Sequence, residues 1–380
     1  MMKQVWIIRI FRSSVVAMAA CLAISTAEAA NLRAIPSLTL DERWDSNVFN
    51  TTFNEHSDFV SRASPRLTLS LDAFETTVNL SGGFDAEKYA DHKELDRSTA
   101  TTNIDLTTLQ PLRFTPRFSM RPSFRYIVSR DAVRRNELTL SPEPGIPPSE
   151  SVVTARTEVR ETSGSLQMTY LLTPNVDLGF GGGAVRREYT ENFPGLFNSS
   201  SISWNASLAY RIDPRLSTGI YFDTSNNSYD HRPNSQIFSG GLTATYLLTG
   251  KFTLDARAGA SLNRESIGVG SQTDDTWSPT GRLSITYAAQ DFRAVLLGSY
   301  ELAGGGSLGI NTKRSNVILT LTDRLTQKWT WNLSGSWQMN RSTDKIVSED
   351  LMTAGGAAGI AYQIVQWASM SLSGNAFRQW

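Results

Sequence analysis

The sequence predicts an all-β fold, a single antiparallel transmembrane β-barrel of about sixteen to eighteen strands. Three observations carry this. Residues 329–340 alternate large apolar with small polar side chains, Trp329, Trp331, Leu333, Trp337 and Met339 against Thr330, Asn332, Ser334, Ser336 and Asn340, the period-2 pattern of a strand with one apolar and one wet face. The pattern returns about every ten to fifteen residues along most of the chain. Finally, the segments between these stretches fall into two alternating classes, short turns and longer polar connections, as two unlike rims require.

The first 29 residues read as a secretory signal, with Lys3, Arg9 and Arg12 early, an apolar run from Val15 to Ser25 and Ala27-Glu28-Ala29 as a cleavage site. Residues 30–380 are then the barrel. The chain's single cysteine, Cys21, lies inside the signal, where Met18-Ala19-Ala20 makes a poor acylation motif. The barrel portion therefore has no disulfide framework, thiolate nucleophile or thiolate metal site. Lys plus Arg and Asp plus Glu both number 36, so bulk attraction recommends no polyanionic partner and no nucleic acid.

Strands are expected near 33–43, 57–71, 75–89, 98–109, 112–128, 153–172, 176–189, 198–211, 214–226, 236–248, 251–264, 277–288, 292–303, 312–324, 328–341, 352–363 and 366–378. The phase holds within individual strands. Ile202, Trp204, Ala206, Leu208 and Tyr210 oppose Ser203, Asn205 and Ser207, while Leu242, Ala244 and Tyr246 oppose Thr243 and Thr245. Tight turns are expected at 72–75, 110–112, 173–175, 213–214, 250–251, 290–291, 326–327 and 365–366, several with the Pro, Asn, Asp or Gly that turn geometry favours. Longer polar segments at 50–57, 90–97, 131–151, 190–197, 227–235, 264–276, 304–311 and 342–350 are assigned to the extracellular rim.

Periodicity alone does not separate a lipid-facing surface from the core of a secreted sandwich or adhesin module. The signal, the two loop classes and the polar face of Ser, Thr, Asn, Gly, Arg and Asp favour lipid. So do aromatic residues at expected strand ends, Tyr170, Tyr210, Phe222, Tyr246, Trp277, Tyr287, Tyr300, Trp329 and Tyr362. About seventeen strands is odd, whereas bacterial single-chain barrels have even numbers. The expectation is that the final strand of an eighteen-stranded set is missing from this chain.

The segment from Pro36 to Phe49, with Trp44-Asp45-Ser46-Asn47, and the following Asp58 and Pro65-Arg66-Leu67 resemble the opening of β-barrel porins found with exosortase or exopolysaccharide export systems. The matching positions are Trp44, Asp45, Ser46, Asn47, Asp58, Pro65 and Leu67. The resemblance implies an outer-membrane pore or accessory protein for surface-polysaccharide secretion in a Gram-negative bacterium. Its implied partners are outer-membrane lipid, the barrel assembly machinery, polysaccharide and periplasmic export components. Read physically, Asp45, Ser46 and Asn47 are short polar side chains that cap a strand end entering a loop.

Other motifs yield little chemistry. Gly179-Phe180-Gly181-Gly182-Gly183-Ala184 matches a dinucleotide fingerprint, but Val185-Arg186-Arg187-Glu188-Tyr189 continues as strand or loop, with no βαβ unit around it to supply the helix N-terminus that holds pyrophosphate. His56, His92 and His231 fall in expected loops without metal-ligand spacing. Nothing in the sequence pairs a nucleophile with a base. The expectation is a non-enzyme with no catalytic residues, metal or cofactor. The constellation that remains is basic: Arg117, Arg121 and Arg125 at i, i+4 and i+8, with Arg211, Arg215, Arg257, Arg282, Arg293 and Arg314, as lumen-lining candidates. Lumen charges tune which solutes pass, and guanidinium groups bind carboxylate and phosphate well. The alternative is that these arginines pair with carboxylates across neighbouring strands to keep a wet interior rigid. A general diffusion porin and a structural or adhesive surface β-protein are the rival functions. The segment 141–150 carries four prolines, which forbid a central strand.

Overall fold

In the computed structural model, residues 31–45, 48, 56–73, 76–99, 104–108, 111–129, 159–189, 197–230, 232–266, 273–303, 311–343, 350–365 and 368–379 are described. The residues form one sheet of twenty strand segments. These are β1 (Asn31–Asp45), β2 (Asp58–Ala73), β3 (Thr76–Gly83), β4 (Asp85–Tyr89), β5 (Arg97–Thr99), β6 (Ile104–Thr108), β7 (Leu112–Thr115), β8 (Phe118–Ser129), β9 (Val159–Thr173) and β10 (Val176–Tyr189). They continue with β11 (Ser199–Arg211), β12 (Leu216–Tyr229), β13 (Arg232–Leu247), β14 (Phe252–Ser266), β15 (Thr273–Ala288), β16 (Phe292–Ala303), β17 (Thr312–Arg324), β18 (Trp329–Ser342), β19 (Asp350–Val365) and β20 (Ala368–Gln379). A single 3₁₀ turn, Lys93–Leu95, is the one helical element among the described residues.

Every pairing is antiparallel, and from β7 onward each segment pairs with its neighbour in sequence. Broken strands share one place: β3 and β4 both line β2, β5 lines β4 while β6 lines β3, and β6 and β7 both line β8. Twenty segments thus fill seventeen places, so β1 and β20 run in the same direction. Among the described residues β1 pairs only with β2, and β20 only with β19.

The ladder register fixes one face for each side chain, and the two faces are inverted relative to a water-soluble protein. On one face Leu242 is 66% exposed, Trp277 68% and Leu372 75%, with Leu208, Ile220, Phe222, Leu283, Leu319 and Leu333 also exposed. On the other face Ser235, Ser261 and Asn263 are 1% exposed and Arg314 is 6% exposed. An aqueous fold would lose about 1.5–3 kcal/mol for each large side chain left outside in this way; the same side chains against acyl chains incur no such cost. The structure is the expected membrane barrel wall, with lipid outside and a polar interior. In β13 the apolar band runs from Phe238 to Tyr246, close to the 9–11 residues of a tilted membrane-crossing strand.

The short-turn rim is built by one local device. Thr249 Oγ1 accepts the backbone N–H of Lys251 and Phe252, Thr326 Oγ1 those of Lys328 and Trp329, and Asp213 Oδ1 those of Arg215 and Leu216 at 2.6 and 2.9 Å. Such side chains satisfy donors that the ladder leaves free at the turn. Beside these turns Phe252, Tyr287 and Phe292 form a chain of rings with centroids 4.6 and 5.9 Å apart, and Trp329 lies 4.6 Å from Tyr362. This is one interfacial aromatic girdle.

Besides the expected strands 75–89 and 98–109, which are divided into β3 and β4 and into β5 and β6, two sequence expectations differ from the structure. The expected strand 112–128 is divided: β7 and β8 form a hairpin around Pro116 and Arg117, and Thr115 Oγ1 accepts the N–H of Arg117 and Phe118. Pro116 provides the turn that Pro111 was expected to provide. Second, several strands run further towards the long connections than their apolar alternation. β13 begins at Arg232 rather than near 236, and β15 at Thr273 rather than near 277. There the outward positions are polar, as in the bidentate Arg264–Asp275 pair (3.0 and 3.1 Å), because the hairpins extend past the apolar band. Backbone pairing continues there while the hydrophobic signal stops.

Candidate conduit lining

Arg257 shows how the interior is organised. It projects inward from β14, opposite Thr243 of β13 and Arg282 of β15. Its guanidinium is ion-paired with Asp223 of β12 and lies 3.3 Å from the ring centroid of Tyr221. β13 stands between β12 and β14, so these side chains must meet across it. They can because the intervening position is Gly241, paired with both Tyr221 and Gly259. A Cβ on Gly259 would come within 2.7 Å of the Tyr221 hydroxyl oxygen. Two opposed glycines thus leave the inner wall bare, Tyr221 lies across it with only 6% of its surface exposed, and its ring supports the cation.

Neighbouring inward positions extend this polar lining. Thr245 Oγ1 donates to Asp255 Oδ1 at 2.7 Å, and the hydroxyls of Ser239 and Ser261 share a hydrogen bond at 2.7 Å. Arg282 faces both Arg257 and Ser299, and Arg293 faces Thr322 and Ala288. Closer to the long-connection rim, the Arg187 Nε donates to Glu161 at 2.7 Å, and Arg314 Nε donates to Asn340 at 3.4 Å. Arg62 stands 3.8 Å from Asp41.

The arginines singled out at i, i+4 and i+8 do not share one setting. Arg117 occupies the β7–β8 turn, where its carbonyl accepts the Leu171 N–H at 2.8 Å. Arg121 and Arg125 are in β8, opposite Gln167 and Ser163, and Arg125 also faces Asp105. Of the motif residues, Trp44 stacks edge-on against Phe59 at 4.8 Å on the outer face, and Asp45 pairs in register with Asp58. Ser46 and Asn47 lie outside the described residues, as do the signal segment, His231 and the proline-rich stretch 141–150. Pro65 pairs with Leu38, and its carbonyl accepts the Phe84 N–H at 3.2 Å, where β3 gives way to β4.

Asp58 was marked by the motif but given no role by the residues alone. It is buried at the rim, accepts the N–H groups of Asp91 (3.2 Å) and His92 (2.9 Å) and lies 3.0 Å from His92 Nδ1. It ties the Asp91–Leu95 turn to the start of β2, next to a small apolar cluster of Val48, Val60 and Tyr89 with Leu95 packed against it. The glycine run 179–184, which mimics a nucleotide motif, lies within β10. Gly181 faces Gln167, whose side chain fills the place of a Cβ. Among the described residues no group of three or more His, Cys, Asp or Glu is placed to hold a metal.

The role of Tyr221 was missed at the sequence level. Its signal was available: an aromatic residue at a polar-phase position among Ser217, Gly219, Asp223, Ser225 and Asn227, two residues from the acidic one.

No family model matches the chain, and no curated protein matches it. Solved structures similar to it include OccK2 (OpdF) of Pseudomonas aeruginosa in complex with glucuronate, at 11% identity over 93% of each chain with a TM-score of 0.44. A BenF-like porin from Pseudomonas fluorescens Pf-5 aligns at 12% identity over 93% of this chain and 94% of that one, with a TM-score of 0.45. The iron transporter FrpB of Neisseria meningitidis aligns at 10% identity over 92% of this chain and 61% of its own, with a TM-score of 0.46.

Proposed function

We propose that the chain is an outer-membrane conduit that passes hydrophilic solute through its polar interior and serves the export of a surface polysaccharide. The observation that carries the conduit reading is the inversion of its two faces, exposed Leu, Ile, Phe and Trp outside and Ser, Asn, Asp and Arg inside. Residues of that kind along a wall suit permeation, which requires contacts weak and numerous enough for a solute to enter and leave. The export reading rests on the resemblance at Trp44, Asp45, Ser46, Asn47, Asp58 and Pro65. Its partners would be outer-membrane lipid, the assembly machinery that inserts barrels and the periplasmic components that deliver polymer. The work is transport without covalent chemistry.

A second reading, a general diffusion porin, is favoured by the lining itself. Arg257 is balanced by Asp223, Arg187 by Glu161 and Arg62 by Asp41, so the interior has no uniform sign with which to select one class of ion. Incorporation of the mature chain into a planar bilayer distinguishes a conduit from a structural wall: discrete conductance steps are expected, and their absence would overturn both transport readings. Deletion in the source organism then separates the two. Loss of surface polymer with normal small-solute uptake supports export; the reverse supports general diffusion.

A further inference from the structure

Arg282 on β15 is an inward cation with nothing to balance it. Its directly opposed neighbours are Arg257 on β14 and Ser299 on β16, and the adjacent inward positions of its own strand are Thr280 and Ser284. No carboxylate stands at any of these places. Acidic side chains come one diagonal away: Asp255, opposite Ser284, already accepts from Thr245 at 2.7 Å, and Glu301 of β16 faces Arg314. Among the described residues Arg282 makes no hydrogen bond or ion pair, and it is exposed. The hydroxyls of Ser284 and Ser299 beside it make no hydrogen bond among the described residues either.

Arg257, the other half of the pair, is held in place. Asp223 reaches it across β13, and the Tyr221 ring supports its guanidinium. Opposed positions of an antiparallel ladder put Cβ atoms about 4.5–5.5 Å apart, and like charges there are unfavourable. Asp223 offsets one of the two charges. The pair therefore presents one uncompensated positive charge on two neighbouring guanidinium forks, with free hydroxyls around it. Arg257 and Asp223 keep 36% and 35% of their side-chain surface exposed, so the ion pair itself is reachable from the interior.

We propose that Arg282 and Arg257 form a binding subsite for the singly charged oxyanion of an acidic sugar, a uronate carboxylate or a sulfate ester. The inference rests on the conduit reading and names the class of solute that the wall retains in passage. The planar fork of a guanidinium meets an oxyanion with two parallel N–H donors. Arg282 supplies that fork, and Arg257 adds a donor from the side that Asp223 leaves open. Ser284 and Ser299 offer the sugar's hydroxyls both donors and acceptors. A single free charge suits a single anion, whereas a phosphomonoester carries close to two. Asp223 is the internal competitor: it yields part of Arg257 to the incoming oxyanion and takes it back, which keeps binding weak enough for the solute to leave.

The test measures binding of trigalacturonate, with maltotriose as the uncharged probe of the same length, to the full mature chain in lipid nanodiscs by titration calorimetry. Current interruptions by the same probes are recorded in planar bilayers. Trigalacturonate is expected to bind, and to interrupt the current, at concentrations where maltotriose does neither. Arg282→Gln should weaken trigalacturonate about tenfold or more, the loss of a charge-assisted contact. Arg282→Lys should also weaken it severalfold although the charge is kept, because the fork is gone. Asp223→Asn should tighten it by releasing Arg257. Galacturonate against glucose 6-sulfate distinguishes the two sources of the oxyanion: the tighter binder names the source. Equal affinity for trigalacturonate and maltotriose, or wild-type binding by Arg282→Lys, overturns the proposal. Binding without conductance removes the conduit and leaves the subsite; conductance without Arg282-dependent binding removes the subsite and leaves the conduit.

Discussion

The wall changes character at β9. From β9 to β19 each strand pairs along one unbroken strand with both sequence neighbours, and β11–β12 and β13–β14 run through thirteen successive residues without a shift. From β1 to β8 the wall is stitched from short pieces. β2 is lined by β3 and then β4, β8 by β7 and then β6, and the sum of paired residue numbers changes by two between the β7–β8 and β6–β8 ladders. The first region also contains the one apolar core cluster among the described residues, Val48, Val60 and Tyr89, with Asp58 pinning the adjoining turn. The comparison teaches that this chain uses two ways of holding a wall. The regular part is held by the ladder and by lipid on one side, without an interior core. The irregular part loses ladder bonds and recovers stability from packing at the rim.

The largest effect should come from charge on the lipid face of the regular region. Leu319→Arg in β17 places a cation outward within the apolar band and should destabilise the folded barrel by about 2–4 kcal/mol, read by urea unfolding in lipid vesicles. Thr320→Arg, one residue on and inward between Val295 and Ser334, should cost under about 1 kcal/mol, because an inward cation meets a polar lining. Equal penalties would mean that the two faces are not distinct.

A smaller effect tests packing within the lining. Gly259→Val puts methyl groups where the Tyr221 hydroxyl and the Gly240 carbonyl now approach, which should cost about 1–3 kcal/mol by overpacking. In bilayers it should also alter ion selectivity by displacing Tyr221 from Arg257. A change in stability with unchanged selectivity would leave the cluster structural only. Val60→Ala should cost about 1–2 kcal/mol, from lost burial. Its consequence should be confined to the first region, as faster hydrogen exchange in β2 and β4 but not in β11–β14. Val317→Ala, outward in β17 and 43% exposed, should be nearly silent. Exchange that rises everywhere after Val60→Ala would show that the two regions unfold as one.

These regions also differ in how far the sequence reveals them. In the regular part apolar side chains at alternate positions set the outward face, and the turn residues Thr249, Asp213 and Thr326 set ends, so the strands at 292–303 and 312–324 coincide with β16 and β17. In the irregular part the outcome depends on which of two neighbours a short segment joins. Pro111 reads as the turn and Pro116 as interior to a strand, although proline suits either turn, and only the pairing of β8 with β7 and β6 decides between them. The lining is less legible still. Arginine identities were visible, but Tyr221 with Arg257 depends on two glycines on β13 and β14, and Asp58 with His92 spans 34 positions. Alternation carries no information on such contacts, because they are set by the register of neighbouring strands.

The central claim is the inversion of the two faces, and β18 tests it most directly. Single cysteines at each position from Trp329 to Trp337, spin-labelled in native outer membranes, can be scanned for collision with oxygen, which partitions into lipid, and with a water-soluble nickel complex. A strict two-residue alternation is predicted, with oxygen favoured at 329, 331, 333, 335 and 337 and nickel at 330, 332, 334 and 336. Uniform accessibility along the strand, or the opposite phase, would contradict a membrane barrel with a polar interior.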